Sequence, residues 1–115
     1  MDGGTEWVVD AFDCSAERLR DRARVIALCG EIVARCELRV VGEPAIHVFP
    51  GPGGVTALYL LAESHLACHT FPESGVATIN LYCCTPRRGP SWDLVCATHL
   101  GSTRVIVREL ARGGA

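Results

Sequence analysis

Ala62-Glu63-Ser64-His65-Leu66-Ala67-Cys68-His69-Thr70-Phe71-Pro72-Glu73 lies between two apolar runs, Val55 to Leu61 and Val76 to Cys84. Flanked in this way, it reads as the end of one strand, a polar turn and a return. If Ser64 opens an extended segment, strand alternation puts His65, Ala67 and His69 on one face, so both imidazoles look the same way. The stretch gathers a serine behind a carboxylate, two histidines and a second carboxylate behind a proline. Chemistry tends to sit at such edges.

Outward from there, Val55 to Ala62 is apolar on both faces except at Thr56 and Tyr59, which suits a central strand covered on at least one side. Val76 to Cys84 alternates. Ala77, Ile79, Leu81 and Cys83 face a helix layer, and Val76, Thr78, Asn80, Tyr82 and Cys84 face the other way. Upstream, Leu38 to Val41 and Ala45 to Phe49 read as strands, and Pro50-Gly51-Pro52-Gly53-Gly54 as a turn without the lysine or context of a phosphate loop. Glu6 to Phe12 is an opening strand. Asp13 or Ser15 caps the helix that follows, with Glu17 in its first turn. From Leu19, the positions Ala23, Ile26, Cys29, Gly30, Val33 and Cys36 form its inward face, and Arg18, Arg20, Arg22 and Arg24 a solvated one. After the Thr85-Pro86-Arg87-Arg88-Gly89 loop, Pro90 to Leu100 reads as a short helix with Gly101 past its end. Thr103 to Glu109 is a last strand, and the tail from Arg112 to Ala115 is expected to fray. The order β-α-β-β-β-α-β predicts an α+β two-layer sandwich: one mostly antiparallel sheet with two helices on one face.

The 115 residues, 49% of them hydrophobic, fit one domain spanning 1–115; such a chain buries roughly 65% of its extended surface. Eleven basic against thirteen acidic residues give a net charge of −2. No footprint for nucleic acid or for a membrane surface is present, which leaves a small molecule or a second copy as partner. No apolar run approaches the ~20 residues of a membrane span, and the polar, acidic start is unlike a signal peptide; the expectation is a cytoplasmic protein. Seven cysteines without a C-x-x-C pair predict reduced core residues rather than a disulfide framework. All eleven basic residues are Arg. Pyridoxal phosphate chemistry, and any imine formed through a lysine of the chain, is therefore excluded. Amine-substrate chemistry here needs a carbonyl from another source.

Glu63-Ser64-His65-Leu66, His69-Thr70-Phe71-Pro72-Glu73 and Asn80-Leu81-Tyr82-Cys83-Cys84 together resemble the short prokaryotic S-adenosylmethionine decarboxylase proenzymes, and the resemblance spans nearly the whole chain. It implies self-cleavage between Glu63 and Ser64, with Ser64 becoming a covalent pyruvoyl group that serves as the electron sink for decarboxylation. It also implies processing help from His69 and from the hydroxyl of Thr56, where the family usually has Ser. Cys84 is implied as the proton donor, Glu73 as the acceptor of the substrate's ribose hydroxyls, and Phe71 as an aromatic near the adenine. The family's other stacking Phe falls at Pro50, so Phe49 takes that role with the loop shifted by one residue. Cys83 stands where Thr is usual, and Asn80 where Asp is usual. The implied product is decarboxylated S-adenosylmethionine for spermidine biosynthesis, made by a homodimer of cleaved protomers.

Three alternatives compete. Pyruvoyl relatives that decarboxylate arginine or ornithine would use the same machinery. An inactive paralogue would serve as a partner subunit. A metal protein would use His65, Cys68, His69 and Cys84, although Cys68 alternates away from the histidines and recognised ligand spacings are absent, so no metal is expected.

Overall fold

The computed structural model describes residues 3–113. A six-stranded antiparallel sheet carries three helices on one face. The strands are β1 (Thr5–Phe12), β2 (Ala45–Val48), β3 (Val55–Leu61), β4 (Ser64–Phe71), β5 (Val76–Cys83) and β6 (Arg104–Ala111), in the spatial order β2-β3-β4-β5-β1-β6. The opening strand thus lies between β5 and β6. The α+β two-layer reading holds, with two local differences. Leu38 to Val41 forms only a single bridge, Val40 to Leu61, instead of a strand. The polar stretch that reads as a turn is itself mostly β4, and the turn shrinks to Ala62 and Glu63.

The first helix is divided in two, α1 (Ala16–Leu19) and α2 (Arg22–Arg35), because Asp21 interrupts it. The Asp21 carboxylate accepts from the backbone N–H groups of Ala23 (3.0 Å) and Arg24 (3.3 Å) and starts a new helix. Ser15, rather than Asp13, caps α1 through the Arg18 N–H. The inward face of α2 is Val25, Leu28, Cys29 and Ile32, one residue round from the expected set; Ala23 and Gly30 are exposed. Arg20 bonds the Pro52 carbonyl and Arg18 that of Thr98, so the Arg cluster is partly engaged. The helix α3 (Trp92–Leu100) starts two residues after Pro90 and ends at Gly101, whose φ of 71° is the left-handed conformation of a glycine stop. Arg112 is not frayed. Its N–H bonds the Gly4 carbonyl and its guanidinium pairs with Glu6. Gly114 and Ala115 lie outside the described residues.

Strand alternation places Trp7, Val9, Ala57, Tyr59, Leu66, Cys68, Ile79 and Leu81 against Leu28, Ile32, Val95 and Leu100 of the helices. The Leu66 side chain sits in the middle of this layer and is fully buried. Leu66→Ala should cost about 2–5 kcal/mol by urea unfolding, as large-to-small core changes do. Thr70 is a buried polar exception with its hydroxyl satisfied: it donates to the Leu19 carbonyl (2.6 Å) and accepts from the Val55 N–H (2.8 Å). Gly54 lies beside it, where a Cβ would come within 2.5 Å of the Thr70 carbonyl oxygen.

Among the described residues, no helix covers the opposite face of the sheet. It presents Leu58, Leu60, Ile106 and Leu110, all exposed, among Thr56, His65, His69, Asn80 and Tyr82.

Candidate active site

The polar side chains of β4 and its neighbours collect at the two ends of that strand. At the first end, Ser64 pairs with Leu61 of β3 and Cys83 of β5, so Ala62 and Glu63 form a two-residue hairpin link. Glu63 is held in three ways. Its carbonyl oxygen accepts from the Cys84 N–H at 3.1 Å. Its carboxylate accepts from the Thr85 hydroxyl and from Arg87 Nη2, the latter at 3.3 Å. An N–H aimed at a carbonyl oxygen polarises the carbonyl and stabilises the charge that grows there under nucleophilic attack. The Ser64 hydroxyl is buried and has no hydrogen-bond partner among the described residues. It lines a small cavity of about 30 Å³ with Leu61, Cys83 and Arg87. The link is not strained at φ: among the described residues, the non-glycine residues at positive φ are Asp13 and Glu37, not Ala62 or Glu63.

The two adjacent cysteines separate by face. Cys83 is buried, and burial pushes its thiol up to about 11. Cys84 is exposed just beyond β5. The assignment of Cys83 to packing follows from this geometry, and the thiol on the solvent side is that of Cys84, beside the Tyr82 hydroxyl.

At the other end, Thr56 on β3 lies opposite His69 on β4, with its hydroxyl 3.1 Å from His69 Nδ1. They border a groove of about 380 Å³ whose wall also contains Phe49, Phe71 and Glu73. Phe49 is half exposed just past β2, its ring edge-on to His47 at 4.5 Å between centroids. Five of the eight residues singled out in the sequence thus come together as a hydroxyl–imidazole pair beside an apolar groove with one carboxylate.

The remaining three, Glu63, Ser64 and Cys84, are at the far end. Five residues along a strand is about 16 Å, and the odd spacing turns Ser64 and His69 to opposite faces. One chain alone does not bring His69 to Ser64.

Between the two ends runs a polar chain over the open face. His65 Nε2 lies 2.9 Å from Asn80 Oδ1, and Asn80 Nδ2 donates to Glu6 at 2.7 Å. Arg112 closes the chain on Glu6, whose carboxyl is held below its ordinary value, chiefly by the Asn80 hydrogen bond and further by Arg112. An amide is the group that can donate to Glu6 while accepting from His65. An Asp at position 80 would set two carboxylates against each other. Asn80 therefore fits its surroundings, and its pairing with Glu6, 74 residues away in the chain, is visible from the fold alone. Thr85 and Arg87 are likewise missed by a sequence reading, since their loop is marked by composition as a turn. The metal alternative does not assemble: Cys68 is fully buried in the core while His65 and His69 lie on the open face.

The chain is similar to known proteins over nearly its whole length. The family model for S-adenosylmethionine decarboxylase matches residues 5–113. An S-adenosylmethionine decarboxylase proenzyme of Symbiobacterium thermophilum is 36% identical over 112 residues, covering 96% of this chain and 83% of the relative. That of Carboxydothermus hydrogenoformans is 32% identical over 114 residues, covering 96% and 86%. The crystal structure of the adenosylmethionine decarboxylase of Aquifex aeolicus superposes with a TM-score of 0.80 at 28% identity, over 99% of this chain and 93% of that one. On a match that runs from β1 to the end of β6, the chain belongs to the S-adenosylmethionine decarboxylase family.

Proposed function

We propose that this protein is a self-processing, pyruvoyl-dependent S-adenosylmethionine decarboxylase that makes decarboxylated S-adenosylmethionine for spermidine biosynthesis. The observation that carries the reading is the Glu63–Ser64 peptide, with a polarised carbonyl and, next to it, a serine hydroxyl that no other group among the described residues engages. Residue 64 suits a pyruvoyl group, because an exposed thiol, Cys84, directly follows the strand residue paired with it. When formed, the group supplies the carbonyl electron sink for loss of carbon dioxide. Cys84 then delivers a proton to the substrate Cα. The groove offers Phe49 and Phe71 as faces for a purine and the Glu73 carboxylate as acceptor for two ribose hydroxyls. That pairing favours a nucleoside-bearing substrate over free arginine or ornithine.

The working unit is a two-fold homodimer of cleaved protomers packed through their open sheet faces. Exposed Leu58, Leu60, Ile106 and Leu110 supply the apolar surface that such packing covers. A two-fold axis near the middle of β4 sets the Thr56–His69 end of one sheet over the Ser64–Cys84 end of the other. The Thr56–His69 pair of one protomer then stands across the interface from the Cys84 end of the other, in place of a separation of about 16 Å along one strand.

Carbon dioxide release from carboxyl-labelled S-adenosylmethionine, arginine and ornithine, assayed in parallel on protein whose cleavage state is known from its mass, tests the substrate. Release from S-adenosylmethionine alone is expected. Release from a basic amino acid instead would overturn the substrate assignment, and no release from any of the three would make the chain a partner subunit.

A further inference from the structure

Arg87 has more donors at the Glu63–Ser64 bond than the uncleaved chain uses. Its Nη2 bonds the Glu63 carboxylate and its Nη1 the Pro86 carbonyl (3.0 Å). Its Nε–H is buried and has no partner among the described residues. The Ser64 hydroxyl, equally without a partner, lines the same cavity. A buried donor left unpaired is unfavourable, which invites the question of what it is built to meet.

The chemistry of self-cleavage answers it. The Ser64 oxygen attacks the Glu63 carbonyl carbon, the C–N bond breaks, and the hydroxyl proton passes to the nitrogen, which becomes the free amine of residue 64 and leaves an ester. A base then takes the Ser64 Cα proton and the Cβ–Oγ bond breaks. The electron pair of that bond leaves with the oxygen, which becomes the second carboxylate oxygen of Glu63. The dehydroalanine left at residue 64 takes up one water and releases ammonia. A neutral peptide carbonyl has then become an anion on the oxygen that began as Ser64 Oγ, inside the cavity lined by the guanidinium. The Glu63 side chain and Glu37 are carboxylates beside the same cavity, with Arg39 as its other cation.

We infer that Arg87 is the preformed counter-ion for the α-carboxylate that self-cleavage creates at Glu63, holding the new C-terminus of the amino-terminal chain in place. The inference rests on cleavage at Glu63–Ser64. It bears on assembly because the sheet interleaves the two products: β1, β2 and β3 belong to one chain, β4, β5 and β6 to the other.

The test is a two-by-two comparison. Arg87→Gln and Arg87→Lys are made in the wild-type chain and in the Ser64→Ala chain, which does not cleave, and each is unfolded in urea. In the uncleaved background Arg87→Gln removes a partly exposed ion pair, so the unfolding equilibrium should move by less than roughly 5-fold. In the cleaved protein the same change should move it by roughly 10- to 100-fold, the scale of charge-assisted hydrogen bonds, with Arg87→Lys recovering part of the loss. Self-cleavage of Arg87→Gln, followed by intact mass, should be slowed but should reach completion. Equal penalties in the two backgrounds would overturn the inference, and so would an Arg87→Gln chain that folds but never cleaves, since Arg87 would then act before the carboxylate exists. A wild-type chain that stays whole is a separate result, which removes the cleavage reading itself.

Discussion

Cys84→Ala is expected to leave cleavage at Glu63–Ser64 intact and to lower decarboxylation by about 10²- to 10⁴-fold, the usual effect of losing a positioned general acid. The two outcomes separate because the residue contributes through two different groups. Its backbone N–H polarises the Glu63 carbonyl, and alanine keeps that donor. Its thiol is exposed and, on the proposed reading, acts as the acid in decarboxylation with no part in the acyl shift. The neighbouring thiol is the internal control. Cys83 is buried with its thiol pushed up to about 11, so Cys83→Ala should cost roughly 1 kcal/mol of stability and leave turnover unchanged. Intact mass reports the cleavage and labelled carbon dioxide the turnover. A Cys84→Ala chain that stays uncleaved, or one that decarboxylates at the wild-type rate, would remove Cys84 from the role of proton donor.

His69→Ala should block or strongly slow pyruvoyl formation, although His69 does not reach Ser64 within one chain. On the proposed two-fold arrangement, the imidazole that acts in the processing of each Ser64 is the partner's His69, because within one chain the two lie about 16 Å apart along β4. Neither Ser64→Ala nor His69→Ala should cleave alone. Co-expressed, they form mixed dimers in which the His69→Ala chain keeps its own Ser64 and meets the partner's intact His69. That chain should be cleaved and the Ser64→Ala chain should stay whole, a distinction that intact mass makes directly. If co-expression yields no cleavage while the mixed dimer is present, the shared-site arrangement is wrong. If His69→Ala cleaves alone at the wild-type rate, His69 has no part in processing.

Much of this was legible in the sequence because strand alternation is strict. The two faces of β4 and β5, and with them the opposite fates of Cys83 and Cys84, follow from a period of two. The odd spacing of Ser64 and His69 already implied that they diverge. The helix is less legible. An apolar stripe at three- and four-residue steps can be drawn through either Ile26–Gly30–Val33 or Val25–Leu28–Ile32, and only packing against the sheet selects the second. The break at Asp21 hid behind good helix formers on both sides. Thr85, Arg87 and Glu6 were out of reach for another reason. Each acts through a partner distant in the chain: Glu63 for the first two, and Asn80 and Arg112 for the third. No local pattern encodes such pairings.

The central claim is that the Glu63–Ser64 bond is built to break, and the intact mass of the purified wild-type protein under denaturing conditions tests it most directly. The account predicts two chains. One should comprise residues 1–63 with an unmodified Glu63 carboxylate at its end, and the other residues 64–115, lighter by one ammonia than a chain beginning with serine and blocked to amino-terminal sequencing. A single species of the full 115-residue mass that persists through long incubation, and that hydroxylamine does not split, would contradict it.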